Sequence, residues 1–298
     1  MFSRRHPYLH FILIFSSICS VSAILISLIV LAGIKYSTQD NVTEAEEKVG
    51  VIEVTGYISD PQETIQDIRR YREDDSIKAI VLRIDSPGGG VGPSQEISRE
   101  IQRTTLQDKK IIASLGAVAA SGGYYIASAA SGIVSNPGTI TGSIGVIMGY
   151  TDIQGLLQKI GITPVVIKSG QYKDIGSPVR SMTDSEKNIL QTFSDQVHRQ
   201  FITAISEGRH LEYEKVAQIA DGRILSGENA FELGLVDRLG NLEDAIAWAG
   251  EMGGITGKVS AVYAKDKKLT FIKRLAESSL HEILSQLSAY HLFAGYVL

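Results

Sequence analysis

Two short runs carry residue types that could do covalent chemistry: Asp85-Ser86-Pro87-Gly88-Gly89-Gly90 and Ala119-Ala120-Ser121-Gly122-Gly123-Tyr124-Tyr125. Each begins where a predicted strand ends, which is where α/β proteins place their sites. In the first, glycines let the backbone turn sharply and leave N–H groups free to face a ligand. Such groups hold a phosphate or the oxyanion of an acyl-transfer intermediate. No Gly-Lys-Ser/Thr follows, so this is not a Walker loop, and the plain alternative is an ordinary strand-to-helix turn. In the second run, a serine flanked by small residues at a strand-to-helix turn is the setting of an exposed nucleophile. The next N–H, from Gly122, is then aimed at the same space. Ala119 stands where a G-x-S-x-G motif has its first glycine, and a simple helix cap is the plain reading of a lone serine beside glycine.

A nucleophilic serine needs a base. His6 and His10 precede the first apolar run, His198 and His210 sit in or at the end of a long helical stretch, and His281 and His291 lie in the tail. None falls on a strand-end loop, so a Ser-His-Asp triad finds no natural histidine. Lysine is the other partner, in a site of low polarity that favours its neutral form. Lys173 follows the apolar run Thr163–Lys168 within Lys168-Ser169-Gly170-Gln171-Tyr172-Lys173-Asp174-Ile175-Gly176-Ser177-Pro178. Lys168 competes five residues away, and spacing does not choose between them.

The elements that must position these residues alternate. Strands are predicted over Val49–Ile58, Ile77–Ile84, Lys110–Leu115, Gly132–Ser135, Ile144–Met148 and Thr163–Lys168. Helices are predicted over Glu63–Tyr71, Gln95–Leu106, Gly122–Ala130 and Gly155–Ile160. Strand–helix alternation with nearly continuous apolar strands indicates an α/β domain with a largely parallel sheet. From Thr183 the chain turns helical. Thr183-Asp184-Ser185-Glu186 fits a capping box, Ile189, Phe193, Val197, Phe201 and Ile205 follow at spacings of four, and Gly208 offers a stop. Shorter helices are predicted at Ser226–Leu233 and Leu242–Ala249. Thr270–Leu292 mixes apolar and charged residues as an amphipathic helix does.

The chain has 298 residues, 29 basic and 33 acidic side chains and a net charge of −4. That balance argues against nucleic acid, whose partners carry a basic footprint. The single cysteine, Cys19, excludes a disulfide framework and a Cys-based zinc cage, and neither a metal nor a cofactor is expected. Phe11–Ile34 carries no charge, and as a helix its 24 positions reach roughly 36 Å, enough to cross a bilayer core of about 30 Å. The run exceeds the apolar stretch of a cleaved signal peptide and ends without a good cleavage site. An uncleaved anchor is expected, with residues 1–35 forming a cytoplasmic tail and transmembrane helix. Residues 36–48 form a polar linker, 49–255 the globular domain, and 256–298 a strand and helical tail. Arg4 and Arg5 before the span nearly balance Lys35 and Lys48 after it. The short N-terminal tail tips the expected orientation towards a cytoplasmic N-terminus.

Taken together the motifs resemble the signal peptide peptidase A (SppA) family of membrane-bound serine proteases. The matching pieces are DSPGGG (Asp85–Gly90), AASGGYY (Ala119–Tyr125), TGSIGV (Thr141–Val146), KSGQYKDIGSP (Lys168–Pro178) and ADGRILSGENAFELGLVDRLG (Ala220–Gly240), in the family's order. The resemblance implies a ClpP/crotonase-type fold of stacked ββα units in the short form with one protease domain. It implies a Ser-Lys dyad, with Ser121 as nucleophile and Lys173 as base. It also implies an oxyanion hole of the Gly89 and Gly122 N–H groups (Gly88 the alternative to Gly89) and an auxiliary Ser143 that orients the lysine. The implied substrates are cleaved signal peptides and similar apolar peptides. The implied setting is a ring-like homo-oligomer on the inner membrane, with the protease domain on the periplasmic or extracytoplasmic side. A crotonase-like acyl-CoA enzyme would share the fold and backbone oxyanion hole, but needs neither a Ser-Lys pair nor an anchor. A stomatin-associated Ser-Lys protease would differ in substrate alone.

Overall fold

The computed structural model describes residues 47–264 and, before them, positions 8, 15–17, 20–22, 24 and 25. The remainder of the anchor expected over Phe11–Ile34, the linker before Glu47 and the tail expected over Thr270–Leu292 lie outside the described residues. The described anchor positions are helical. Among the described residues, no helix is long and apolar enough to cross a membrane. Residues up to Glu46 and those from Glu47 onward form separate compact units, and the fold below is that of the second.

Strands β1 (Lys48–Thr55), β2 (Ile77–Ser86) and β3 (Lys110–Ala120) run parallel at its centre, with α1 (Gln62–Glu73) and α2 (Val91–Thr105) as crossovers. The β2 run IKAIVLRI is apolar almost throughout because both its faces are covered. Ile80, Leu82 and Ile84 join the cluster under α1 and α2, while Ala79 and Val81 join the one under α8 (Leu242–Met252), through Ala245, Ile246 and Ala249. This two-residue alternation is the pleat of a strand. The sheet is completed by β4 (Gly132–Ser135), β5 (Ile140–Gly142), β6 (Ile224–Ser226), β7 (Arg238–Leu239) and β8 (Ser260–Tyr263). Its main order is β6-β5-β3-β2-β1-β8, parallel except between β5 and β6. The α/β class expected from the sequence is the observed one, and β8 carries the sheet beyond residue 255.

Strand β3 forks. Its first half, Ile112–Leu115, pairs with β4, and its end, Val118–Ala120, pairs with β5. Carbonyls released at the fork find side-chain donors: Leu115 O accepts from Arg83 Nη1 at 3.1 Å, and Gly116 O from Thr139 Oγ1 at 2.7 Å. The fork carries β3 five residues past the strand end expected at Leu115, directly to Ser121. There α3 (Gly122–Ser128) begins.

Helix α5 (Asp184–Arg209) opens on the expected capping box, with Thr183 accepting from the Glu186 N–H and Glu186 from the Thr183 N–H. Gly208 does not end it. The helix runs through Arg209, and His210 takes the left-handed conformation (φ 53°, ψ 40°). Gly208 is glycine because α5 meets α3 there so closely that a Cβ would overlap the Ser128 carbonyl. The remaining helices are α4 (Gln154–Lys159), α6 (Tyr213–Ile219) and α7 (Gly227–Glu232).

Two expected strands are absent. Ile144–Met148 is irregular: Ile144 is buried, but Ile147 is 97% exposed. Thr163–Lys168 has strand composition but no strand partner among the described residues, and Val165 and Ile167 are 84% and 97% exposed. A ladder needs a second chain segment, and within this protomer none of the described segments is supplied.

Candidate active site

Ser121 caps β3. Its N–H donates to Gly142 O at 2.9 Å, which ties it to β5. Its backbone sits at φ 51°, ψ −121°, outside the regions open to L-residues without strain. The turn projects the serine from the sheet end as a nucleophile elbow does. The conformation is held from both sides, since the Tyr125 N–H donates to Ser121 O at 2.8 Å.

The glycine run after β2 packs against this turn. Gly88 adopts φ +106°, and a Cβ there would stand 2.9 Å from the Ser121 Cβ and 2.8 Å from the Gly122 nitrogen. Only glycine permits both the dihedral and the approach. The Gly88 N–H is already engaged, donating to the buried Ser86 Oγ at 3.1 Å. Ile58 bridges the run: its N–H donates to Gly88 O and its carbonyl accepts from the Gly90 N–H. In such a parallel bridge the middle residue's N–H points away from the bridging strand, so Gly89 directs its own towards the serine turn. A Cβ on Gly122 would stand 3.1 Å from the Gly89 nitrogen. Gly122, as the first residue of α3, has no intrahelical acceptor for its N–H. Two amide donors therefore lie side by side next to Ser121.

Two cavities meet at Ser121. One, of about 40 Å3, is walled by Val91, Val146, Val197 and Phe201 and touches Gly89 and Gly122. The other, of about 440 Å3, is shared by Ser121, Ser143 and His198. Ser143 has φ 51° and donates its N–H to Arg223 O at 2.8 Å. The chain thus gathers Ser121, Gly88, Gly89, Gly122 and Ser143. Among the described residues no group of three or more metal-ligating side chains is present.

Lys173 is not among them. It lies exposed in the turn Gln171–Gly176 and lines neither cavity. Its competitor is committed elsewhere: Lys168 Nζ donates to Asp174 Oδ1 at 2.5 Å and to Gln171 O at 2.9 Å. Asp174 also receives Arg180 through Nε at 2.8 Å and Nη2 at 2.9 Å, and Arg180 reaches on to Glu186. Arg180 and Lys168 hold the Asp174 carboxyl far below the usual carboxylate range. Arg180 and the Thr183 N–H lower that of Glu186 to about 2. This neutral network ties the turn carrying Lys173 to the start of α5 and engages Lys168.

His198 is the residue that sequence reasoning set aside and the structure brings in. It lies on α5, and its Nε2 is buried without a hydrogen-bond partner. The spacing of Val197 and Phe201 on α5 was a usable signal, because it fixes which face of that helix meets α3 and the Ser121 turn.

Residues 103–256 match peptidase family S49. A protein named as a protease in Synechocystis sp. is 46% identical over 215 residues, which cover 72% of this chain and 77% of that one. A protein named as a signal peptide peptidase SppA in Enterococcus faecium is 34% identical over 215 residues, covering 68% of this chain and 62% of that one. Among solved structures, a mutant of a membrane-bound stomatin-specific protease shares the fold. Its TM-score is 0.51 at 19% identity, over 74% of this chain and 99% of that one. On the family match and these two relatives the chain belongs to peptidase family S49 and is a serine protease similar to the SppA proteins.

Proposed function

We propose that this protein is a membrane-anchored endopeptidase that digests cleaved signal peptides and similar apolar peptides with a Ser-Lys dyad. Ser121 is the nucleophile and Lys173 the base. The observation that carries the reading is the strained Ser121 at a strand end, with the Gly89 and Gly122 amides beside it. Lys173, as the free amine, takes the proton as Ser121 Oγ attacks the peptide carbonyl. The two amides receive the developing oxyanion, the amine returns the proton to the leaving nitrogen, and water then releases the acyl group. Engagement of the Gly88 N–H by Ser86 favours Gly89 as the donor. Ser143, on the same cavity as Ser121, orients the lysine.

The exposed position of Lys173 supports a dyad completed between copies of the chain in a ring-like homo-oligomer. The run leading to it presents Val165 and Ile167 to solvent, which is apolar surface that association would cover. The charge-free run Phe11–Ile34 and the exposed Val21, Ile24 and Leu25 support the anchor, with the N-terminus cytoplasmic and the protease domain extracytoplasmic. The ClpP/crotonase-type layout of the family accommodates both.

Purified Ser121→Ala and Lys173→Ala variants are each expected to lose peptide hydrolysis, and a serine-reactive phosphonate to label Ser121. Mixing and reassembling the two inactive variants is expected to restore part of the activity, because some interfaces then pair an intact Ser121 with an intact Lys173. A mixture as dead as its parents rejects the shared dyad. One observation favours a second reading, a histidine base: His198 lines the cavity that Ser121 shares. That reading requires His198→Ala to abolish hydrolysis and Lys173→Ala to spare it.

A further inference from the structure

The cavity of about 40 Å3 touches Ser121 and both neighbouring amides. An attacked carbonyl seated there carries its own side chain two bonds away, so this cavity receives the substrate residue that precedes the scissile bond. One water needs roughly 10–15 Å3 on the same measure, so the space matches about three or four heavy atoms. That is the size of a valine or leucine side chain, and the lining by Val91, Val146, Val197 and Phe201 suits an aliphatic one.

What limits the cavity is a partition. Between α2 and α5, beyond it, lies a hollow of about 560 Å3 lined by polar groups including Gln102, Gln196 and Thr203. Gln95 and Tyr125 line both spaces. Tyr125 is held by its ring contact with Phe201, at 5.1 Å between centroids. Gln95 reaches across from α2, and its Nε2 donates to Gln200 Oε1 on α5 at 3.0 Å. Phe201 is buried and backs the tyrosine, whereas Gln95 is half-buried and Gln200 is exposed.

We infer that Gln95, latched to Gln200, is the end wall of the pocket for the residue preceding the scissile bond, and so is a specificity-determining residue that restricts it to short aliphatic side chains. The inference rests on Ser121 being the nucleophile. Shortening residue 95 joins the small cavity to the large hollow and admits an aromatic ring.

The test uses the full chain in detergent micelles and two peptides that differ only in carrying Val or Phe before the scissile bond. Wild type is expected to favour Val. In Gln95→Ala the ratio of kcat/KM for Phe over Val is expected to rise at least tenfold. In Gln200→Ala, which removes the latch but not the wall, it is expected to rise by a smaller factor. A ratio in Gln95→Ala within twofold of wild type overturns the wall, as does a wild type that already prefers Phe. Failure of the underlying reading looks different: wild type then cleaves neither peptide, or Ser121→Ala cleaves both at the wild-type rate.

Discussion

With Ser121 as the proposed nucleophile, its strained backbone sets activity against stability at a single residue. A non-glycine residue held at φ 51°, ψ −121° costs about 1–3 kcal/mol. It persists because the Ser121 N–H is fixed to Gly142 and its carbonyl to the Tyr125 N–H. Ser121→Gly releases that strain, while glycine's greater freedom in the unfolded chain takes back roughly 0.5–1 kcal/mol. The useful reference is Ser121→Ala, which also lacks the hydroxyl but keeps the Cβ and therefore the strain. Glycine is then expected to be the more stable variant by up to about 2.5 kcal/mol, or up to about 10 °C in Tm for a domain of this size. Both variants are expected to lack hydrolysis. Thermal and urea unfolding of the two inactive proteins in parallel reads the difference. If Ser121→Gly melts at or below Ser121→Ala, the turn is not strained and the account of how the serine is projected is wrong.

Gly208→Ala sets two effects against each other. Alanine in a helix interior gains up to about 1 kcal/mol over glycine, but here its Cβ would overlap the Ser128 carbonyl. The clash, about 1–3 kcal/mol, is expected to win, with a net loss visible in the urea midpoint. Arg180→Gln removes the partner that holds both Asp174 and Glu186 low. Because both folded-state values lie below the ordinary carboxylate values, their contribution to stability is complete above about pH 5. It is lost as pH falls through those values towards 2. The urea midpoint of wild type is therefore expected to exceed that of Arg180→Gln at pH 7, and the gap to narrow between pH 4 and pH 2. A gap that does not change with pH would show that the arginine acts through packing alone.

Much of the scaffold was legible because it depends on local pattern. Ile77–Ile84 announces a strand buried on both faces, and Thr183 and Glu186 announce the start of α5 three residues apart. The serine turn was legible for the same reason, being a local change from strand to helix marked by small residues. What escaped depends on partners far away in sequence. Gly116–Ala120 lacks the β-branched composition of a strand, yet it becomes one because β5 lies beside it at the fork. Thr163–Lys168 has that composition and stays unpaired, because no described segment of the same protomer reaches it. Gly208 looks like a helix stop until α3 is seen against it. His198 could be placed at the Ser121 cavity only once the buried face of α5 was known.

The bared valine and isoleucine of residues 165 and 167 have a consequence for how such a molecule behaves when scarce. A protomer alone in dilute solution keeps a greasy ribbon in water, and its Lys173 lines neither cavity at Ser121. If the proposed anchor and shared dyad hold, confining the chains to a bilayer plane raises their encounter frequency without raising their number, and crowding on the membrane becomes the trigger for cleavage. On the same proposal a stray copy off that plane is idle as a protease, and its apolar ribbon leaves it prone to clump.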